Sequence, residues 1–417
     1  MTYLKLFFQK NFKTLAFTTI LSLIIAYLIN SKFIYPAITP MIKNGITYLF
    51  ADWSVIVNAS SCFQRGVDVF FENPCDPWNR KHVYGEILLH LPFVSILNKF
   101  YLIYFPLIIN FSFIYVVISF FNYKKSYKNL TFLFFILSAP FIIAVERANI
   151  DILIFFIIYL ISKNKNLLIN HFFILVGVLS KFFPICFTIL FLFKKNIKKI
   201  FLNLILISLI ILTFLFFQLE NLEKIFGTKD QFLGGNIYAF SFISLIKTIN
   251  SIQIIDINLK WLKTFFVIGF LFLPFFLILN SFVIIKKNKI LFSEIFTNDI
   301  FENRMYIISS ATLLSCYFII ENIFYREIFF LGLIPWLLKN EDKNKNIKDF
   351  YFYFILFKFI ITTILIYIVL AQPYLFYNFN FILILLKHTI DFYLILIIFS
   401  VFILCIYNFL KKDLILK

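Results

Sequence analysis

The chain has 417 residues, 62% hydrophobic and 21% aromatic, with 63 Phe against 9 Gly and 11 Pro. Its formal charge of +18 would suit a nucleic-acid partner, but the lysines stand in short blocks between apolar runs, the pattern of cytoplasmic loops. Apolarity this uniform excludes a soluble enzyme and a nucleic-acid binder, and predicts an all-α polytopic membrane protein.

Lys5, Lys10 and Lys13 precede a full-length apolar stretch with no small-residue cleavage site after it. The N-terminus is therefore read as cytoplasmic and retained, not as a removable signal. A first span over 12–35 leads to a first outer loop, 36–98. This loop is the longest hydrophilic segment, carrying Lys43, Arg65, Arg80 and Lys81 with Asp52, Asp68, Glu72, Asp76 and Glu86. A second span over 99–121 ends at Lys124, Lys125 and Lys128, and a third over 130–146 rises to Glu146.

The next basic blocks, Lys163/Lys165 and Lys194 to Lys199, both belong inside, so the apolar chain between them must go out and return. The legs 167–180 and 183–193, like 151–162, reach only about 16–21 Å as helices, short of the ~30 Å hydrocarbon core. Such legs can line a cavity open to the outside, where irregular backbone is tolerated. The turn Ser180-Lys181-Phe182-Phe183-Pro184 would lie in its wall or floor.

A span over 200–217 leads to a second outer loop, 218–260, with Gly234-Gly235-Asn236. A span over 261–285 returns to Lys286, Lys287 and Lys289, and one over 305–320 leads out to Glu321–Glu327. A short leg over 328–338 meets a charged cytoplasmic linker, 339–349, and spans over 350–371 and 389–410 bring the C-terminus inside. The sum is about twelve passes in one membrane domain, 1–417, without tandem repeats.

Ionisable residues beside short membrane helices are costly and count first as functional candidates. Asp52 follows the first span. Glu146, Arg147, Asn149 and Asp151 form a second cluster, and Lys181 and Arg326, the latter in Tyr325-Arg326-Glu327, are two more. Each has a structural alternative. Glu146–Arg147 can be an ion pair or a helix cap, Asp151 an N-cap, Arg326–Glu327 an interfacial pair and Lys181 a snorkelling side chain. Asp52 can cap a helix over 53–63, and Trp53 can anchor at the interface.

Cys62 and Cys75 share the first outer loop, 13 residues apart, and form a plausible disulfide if that side is oxidising. Cys186, Cys316 and Cys405 fall in membrane helices and read as small hydrophobes. His82, His90, His171 and His388 show no metal-ligand spacing, with His171 expected near the cytoplasmic interface, and no metal or cofactor is expected.

The pattern resembles glycosyltransferase family 87 of the GT-C superfamily. The matching residues are Asp52-Trp53, Gly66-Val67-Asp68-Val69-Phe70, Glu146-Arg147-Ala148-Asn149-Ile150-Asp151, Leu179-Ser180-Lys181-Phe182-Phe183-Pro184 and Tyr325-Arg326-Glu327. The resemblance covers about residues 12–340 and rests on short, degenerate motifs. It implies a GT-C fold of about twelve helices and inverting transfer of a hexose, typically mannose, from a polyprenyl-phosphate sugar donor to a glycolipid or glycan acceptor. Asp52 would be the general base. Arg147, Lys181 and Arg326, with Glu146, Asn149 and Asp151, would bind the donor phosphate and substrate. Ala148 replaces the family's usual Gly, and Arg326 stands where His is common. Lys181 is followed by two residues before Pro184, not the more usual spacing.

The reading places the protein in a bacterial-type inner membrane, both termini cytoplasmic and the site facing outward. Its partners are the lipid bilayer, donor and acceptor; the oligomeric state is open. Two alternatives remain, a transporter that would want the same cations and a polymerase or ligase that shares the outer loop and lipid donor. A transporter or flippase of a lipid-linked sugar would need polar residues continuing to the cytoplasmic side. An oligosaccharide polymerase or ligase usually has its largest outer loop late in the chain.

Overall fold

The computed structural model describes residues 2–30, 42–43, 46–47, 49–121, 128–192, 197–229, 239–251, 295, 299–319, 322–339, 345–371 and 377–415. Strand is confined among them to a two-residue antiparallel ladder, Ile42–Lys43 with Ile46–Thr47, and two bridging residues, Ala239 and Ile323. The rest is helix and turn, as the apolar runs predict.

The helices in chain order are α1 (Thr2–Asn30), α2 (Ala51–Phe63), α3 (Phe105–Phe121, entered through a π-turn at Phe100–Tyr104), α4 (Lys128–Ile136), α5 (Ala139–Arg147), α6 (Ile150–Lys163) and α7 (Leu167–Ser180). After a 3-10 turn at Phe183–Thr188 come α8 (Ile189–Leu192), α9 (Ile197–Lys229), α10 (Phe242–Ser251) and α11 (Phe301–Phe318). A 3-10 stretch, Phe324–Leu333, runs into α12 (Ile334–Leu338), followed by α13 (Lys345–Ala371) and α14 (Tyr377–Ile415).

Five described segments are long and apolar enough to cross a bilayer: Asn11–Ile29, Phe100–Phe121, Ile200–Leu219, Lys348–Ile368 and Leu383–Ile403. The chain is thus an α-helical membrane protein. The expected span at 261–285 and Gly234-Gly235-Asn236 lie outside the described residues.

Several boundaries depart from the sequence expectations. The single span over 130–146 is two helices, α4 and α5. Ser138 is extended between them, and Pro140 occupies the first turn of α5, where its missing N–H costs nothing. The described parts of the expected outer loop 218–260 are largely helical: α9 continues to Lys229, and α10 follows at Phe242–Ser251. The linker 339–349 already contains the first turn of α13. The span over 305–320 is α11, which is enclosed by protein along most of its length, with Ser309, Ser310 and Thr312 buried. It packs so closely on the Phe324–Leu333 stretch that a Cβ on Gly332 would meet Ser309 Oγ at 1.9 Å.

The short legs α6, α7 and Phe324–Leu338 lie against other helices, as irregular or short backbone in a membrane must. Rings interlock between them, with Phe113 against Phe141 and Phe155, each at 5.1 Å, and Phe135 against Phe359 at 5.1 Å. Such packing holds helices together where lipid removes the hydrophobic gain.

Residues 49–98, in the expected first outer loop, form a folded cap. A disulfide joins Cys62 to Cys75, with Cα atoms 5.9 Å apart. Buried Asp76 takes Arg80 in a fork, Nε at 2.9 Å and a terminal nitrogen at 2.7 Å, while Arg80 also donates to the Ala51 carbonyl at 3.0 Å. The Gly85 N–H donates to the Ser180 carbonyl at 2.9 Å, and a Cβ at Gly85 would fall 1.6 Å from the Leu179 oxygen. Only glycine permits that approach. From α9, Asn221 donates to Glu86 at 3.2 Å and Lys224 pairs with Asp68 at 2.8 Å. The cap and the end of α9 therefore share one side of the molecule.

Candidate functional site

The start of α2 is fixed against the end of α5. Phe50 takes a left-handed conformation (φ 56°), and its N–H donates to the Glu146 carbonyl at 3.0 Å. Asp52 does not cap its own helix. Its carboxylate reaches across, accepting from Asn149 Nδ2 at 2.7 Å and from an Arg147 terminal nitrogen at 3.4 Å. Trp53 is buried, and its indole N–H donates to the Tyr101 carbonyl in the π-turn at 2.8 Å. It is a packing residue and not the expected interfacial anchor.

The α5–α6 turn carries the second cluster. Ala148 is left-handed (φ 45°, ψ 51°), the conformation glycine adopts freely and L-residues resist. The turn lets Asn149 do two jobs. Its Oδ1 accepts from the Asp151 N–H at 2.9 Å, making Asn149 the N-cap of α6, while its amide nitrogen holds Asp52. The expected capping role of Asp151 thus belongs to Asn149, two residues earlier.

Asp151 instead binds two cations. Its Oδ1 accepts from Lys181 Nζ at 2.5 Å and its Oδ2 from Arg326 Nε at 3.3 Å. Lys181 lies just past α7 in extended backbone, and Pro184 falls in the first turn of the 3-10 segment that follows, where its missing N–H costs nothing. Its ammonium lies 5.5 Å from the Tyr84 ring and 5.6 Å from that of Phe183, which Arg326 also covers at 5.2 Å. Arg326 is further fixed by donating to the Asn322 side-chain oxygen.

All seven predicted residues, Asp52, Glu146, Arg147, Asn149, Asp151, Lys181 and Arg326, therefore form one connected assembly drawn from four parts of the chain. Their exposures divide the roles. Asp151 has none, whereas Asp52 keeps 13%, Arg147 23%, Arg326 13% and Lys181 8% of the side chain open. Asp151 is sealed from solvent and holds the two cations. Glu146 is buried, 3.9 Å from Arg147 Nε, a longer approach than that of Asp52. Arg326 does not pair with Glu327, which points away into the helix bundle toward Lys358 and Lys387.

Two residues went unrecognised in the sequence. Tyr84 and Tyr325 are both buried within electrostatic reach of Asp52 and Asp151. Burial, with Asp52 nearby, pushes the Tyr84 hydroxyl well above the usual phenol range, so it keeps its proton. Tyr325 could have been inferred from its neighbour Arg326; nothing in spacing or composition marks Tyr84. The described residues hold no group of three or more His, Cys, Asp or Glu arranged for a metal ion.

Electrically the assembly is a dipole. Lys181, Arg326 and Asp151 sum to +2 − 1 = +1, and Arg147, Asp52 and Glu146 to +1 − 2 = −1. The first pole suits an anion with two fork or point donors. The second offers a carboxylate oriented by an amide. No protein-family model, curated protein or solved structure matches the chain.

Proposed function

We propose that the chain is a membrane glycosyltransferase that moves a hexose from a polyprenyl-phosphate donor to a glycolipid or glycan acceptor. The observation that carries the reading is the convergence of Asp52 with Lys181 and Arg326, the last two sharing the sealed Asp151. In this reading the donor phosphate sits against Lys181 and Arg326. Asp52 takes the proton of the acceptor hydroxyl as its oxygen attacks the anomeric carbon, and the sugar–phosphate bond breaks with inversion. The leaving polyprenyl phosphate carries away the bonding pair, stabilised by the two cations. Tyr84 and Tyr325 border the position the sugar would take.

The finer topology belongs to the same proposal: a GT-C-type arrangement of about twelve passes, both termini cytoplasmic and the cap of 49–98 on the outer face. The shared side of the cap and the end of α9 supports it.

The test uses purified protein in lipid nanodiscs with a panel of polyprenyl-phosphate sugars and an acceptor lipid extract. Transfer should fall about 10²–10⁴-fold in Asp52→Asn, with the donor KM unchanged. Wild-type rates in this variant would refute the assigned base, and no transfer from any donor by the wild type would refute the reading.

A further inference from the structure

Behind Arg326 lies a second charge cluster, outside the site and sealed from solvent. Glu327, Lys358, Lys387 and Asp391 form a closed ring of alternating sign. Lys358 pairs with Glu327 and lies 3.0 Å from Asp391 Oδ1, while Lys387 lies 2.8 Å from Asp391 Oδ2 and 3.4 Å from Glu327 Oε1. No member exposes more than 1% of its side chain. Lys358 falls near the middle of the candidate span Lys348–Ile368, and Lys387 and Asp391 within Leu383–Ile403. Ions at that depth are expensive and rarely kept without use.

The ring's connections indicate the use. Three members sit on the long helices α13 and α14; the fourth, Glu327, sits on the Phe324–Leu333 stretch, next to Arg326 in sequence. Lys387 also donates to the Ala239 carbonyl, and Phe240 N–H donates to the Asn322 carbonyl at 2.7 Å. Asn322 in turn accepts from Arg326. The segment carrying Arg326 is thus held to α13 and α14 on one side and to residues 239–240 on the other.

We propose that Lys358 and Lys387 are positioning residues for Arg326. By gripping Glu327 they set the register and rotation of the 3-10 stretch, so that Arg326 faces Asp151 and an incoming anion. The proposal rests on the reading of Arg326 as an anion ligand, but its effect on the segment does not need the reaction. Removing one ring member leaves a buried charge unmatched and risks misfolding. Removing Glu327 and Lys358 together leaves Lys387–Asp391 as a neutral i,i+4 pair.

The test compares wild type with the double variant Glu327→Leu/Lys358→Met in nanodiscs. Hydrogen exchange of the 322–333 amides should rise about tenfold or more, with α6 and α7 unchanged. Polyprenyl phosphate should bind about tenfold more weakly, and, where transfer is measured, the donor KM should rise while kcat stays within about threefold. Exchange at wild-type levels in 322–333, or a fall in kcat with unchanged affinity, overturns the proposal. An enzyme that transfers nothing but shows the exchange change overturns the transferase reading alone.

Discussion

Neutralising Asp151 is the sharpest perturbation the site offers. Asp151→Asn keeps shape and hydrogen-bonding capacity but leaves Lys181 and Arg326 side by side with no shared anion. Breaking a buried pair by removing one partner costs about 3–5 kcal/mol. Both cations keep a little exposure, 8% and 13% of their side chains, so the lower end, about 3 kcal/mol, applies. Against a total of about 5–15 kcal/mol, and at about 1–2 °C per kcal/mol for a chain this long, the unfolding midpoint should fall by about 3–6 °C. An anion bound at the pair supplies the missing charge. Under the proposed function, polyprenyl phosphate at a hundredfold excess over its Kd should stabilise the wild type by about 2.7 kcal/mol, and the variant more, because the phosphate replaces the lost counter-charge. The assay is thermal unfolding in detergent at fixed scan rate, with and without polyprenyl phosphate. A variant with the wild-type midpoint, or one that gains less than the wild type from the lipid, would refute the assignment of Asp151 as the shared counter-ion.

His82 and Ala148 give two further tests. Burial pulls the His82 imidazole down to about 4 from its ordinary 6.5, so between those values the unfolded chain binds a proton that the folded cap refuses. The stability it contributes is complete above pH 6.5 and lost as pH falls toward 4, about 3 kcal/mol in all; His82→Phe should flatten that part of the pH–stability curve if it folds, and an unchanged curve would sink the argument. At Ala148 the left-handed backbone costs about 1–2 kcal/mol, partly offset by the extra chain entropy of glycine, about 0.5–1 kcal/mol. Ala148→Gly should therefore gain up to about 1 kcal/mol with the site intact, whereas Ala148→Val should weaken both stability and donor binding; a Val variant as stable as the Gly variant would refute the strain.

What the sequence reveals follows the range of the interactions. The long apolar runs locate the five described helices that can cross a bilayer, because insertion energy is set locally, residue by residue. The turn between α5 and α6 is legible for the same reason: Glu146 to Asp151 are neighbours, and their polarity stands out against apolar flanks. The partners are not legible. Asp52 meets Asn149 across 97 residues, and Lys181 meets Asp151 across 30, distances no periodicity encodes. The assignment of Asp52 as a possible helix cap fails because Phe50, not Asp52, ends the helix, a consequence of its tertiary bond to the Glu146 carbonyl. Lys358, Lys387 and Asp391 interrupt apolar runs as plainly as Lys181 does, yet their meaning depends on Glu327, which the sequence ties to Arg326 by adjacency and the fold turns the other way.

The opposed poles impose an order on the proposed reaction. The six charged groups of the site sum to +3 − 3 = 0, so an anion gains little from the assembly as a whole and must seek the half that carries +1. Bound there, a donor phosphodiester cancels that pole. Asp52 stays held by Asn149 and Arg147, away from the phosphate cations, and takes the proton of the acceptor hydroxyl in this reading. Bond cleavage turns the single phosphodiester charge into a phosphate monoester of about −1.5 to −2, by analogy with other phosphate monoesters. The growing charge falls where Lys181 and Arg326 already point. Stabilisation that increases along the reaction coordinate lowers the barrier, whereas equal binding of donor and product would not. A single undivided cluster of cations around Asp52 would bind the donor more tightly but would also bind the carboxylate that has to accept the proton. Division of the charges by Asp151 separates those two demands, which is why the carboxylate sealed from solvent is as necessary to the proposed chemistry as the one that takes the proton.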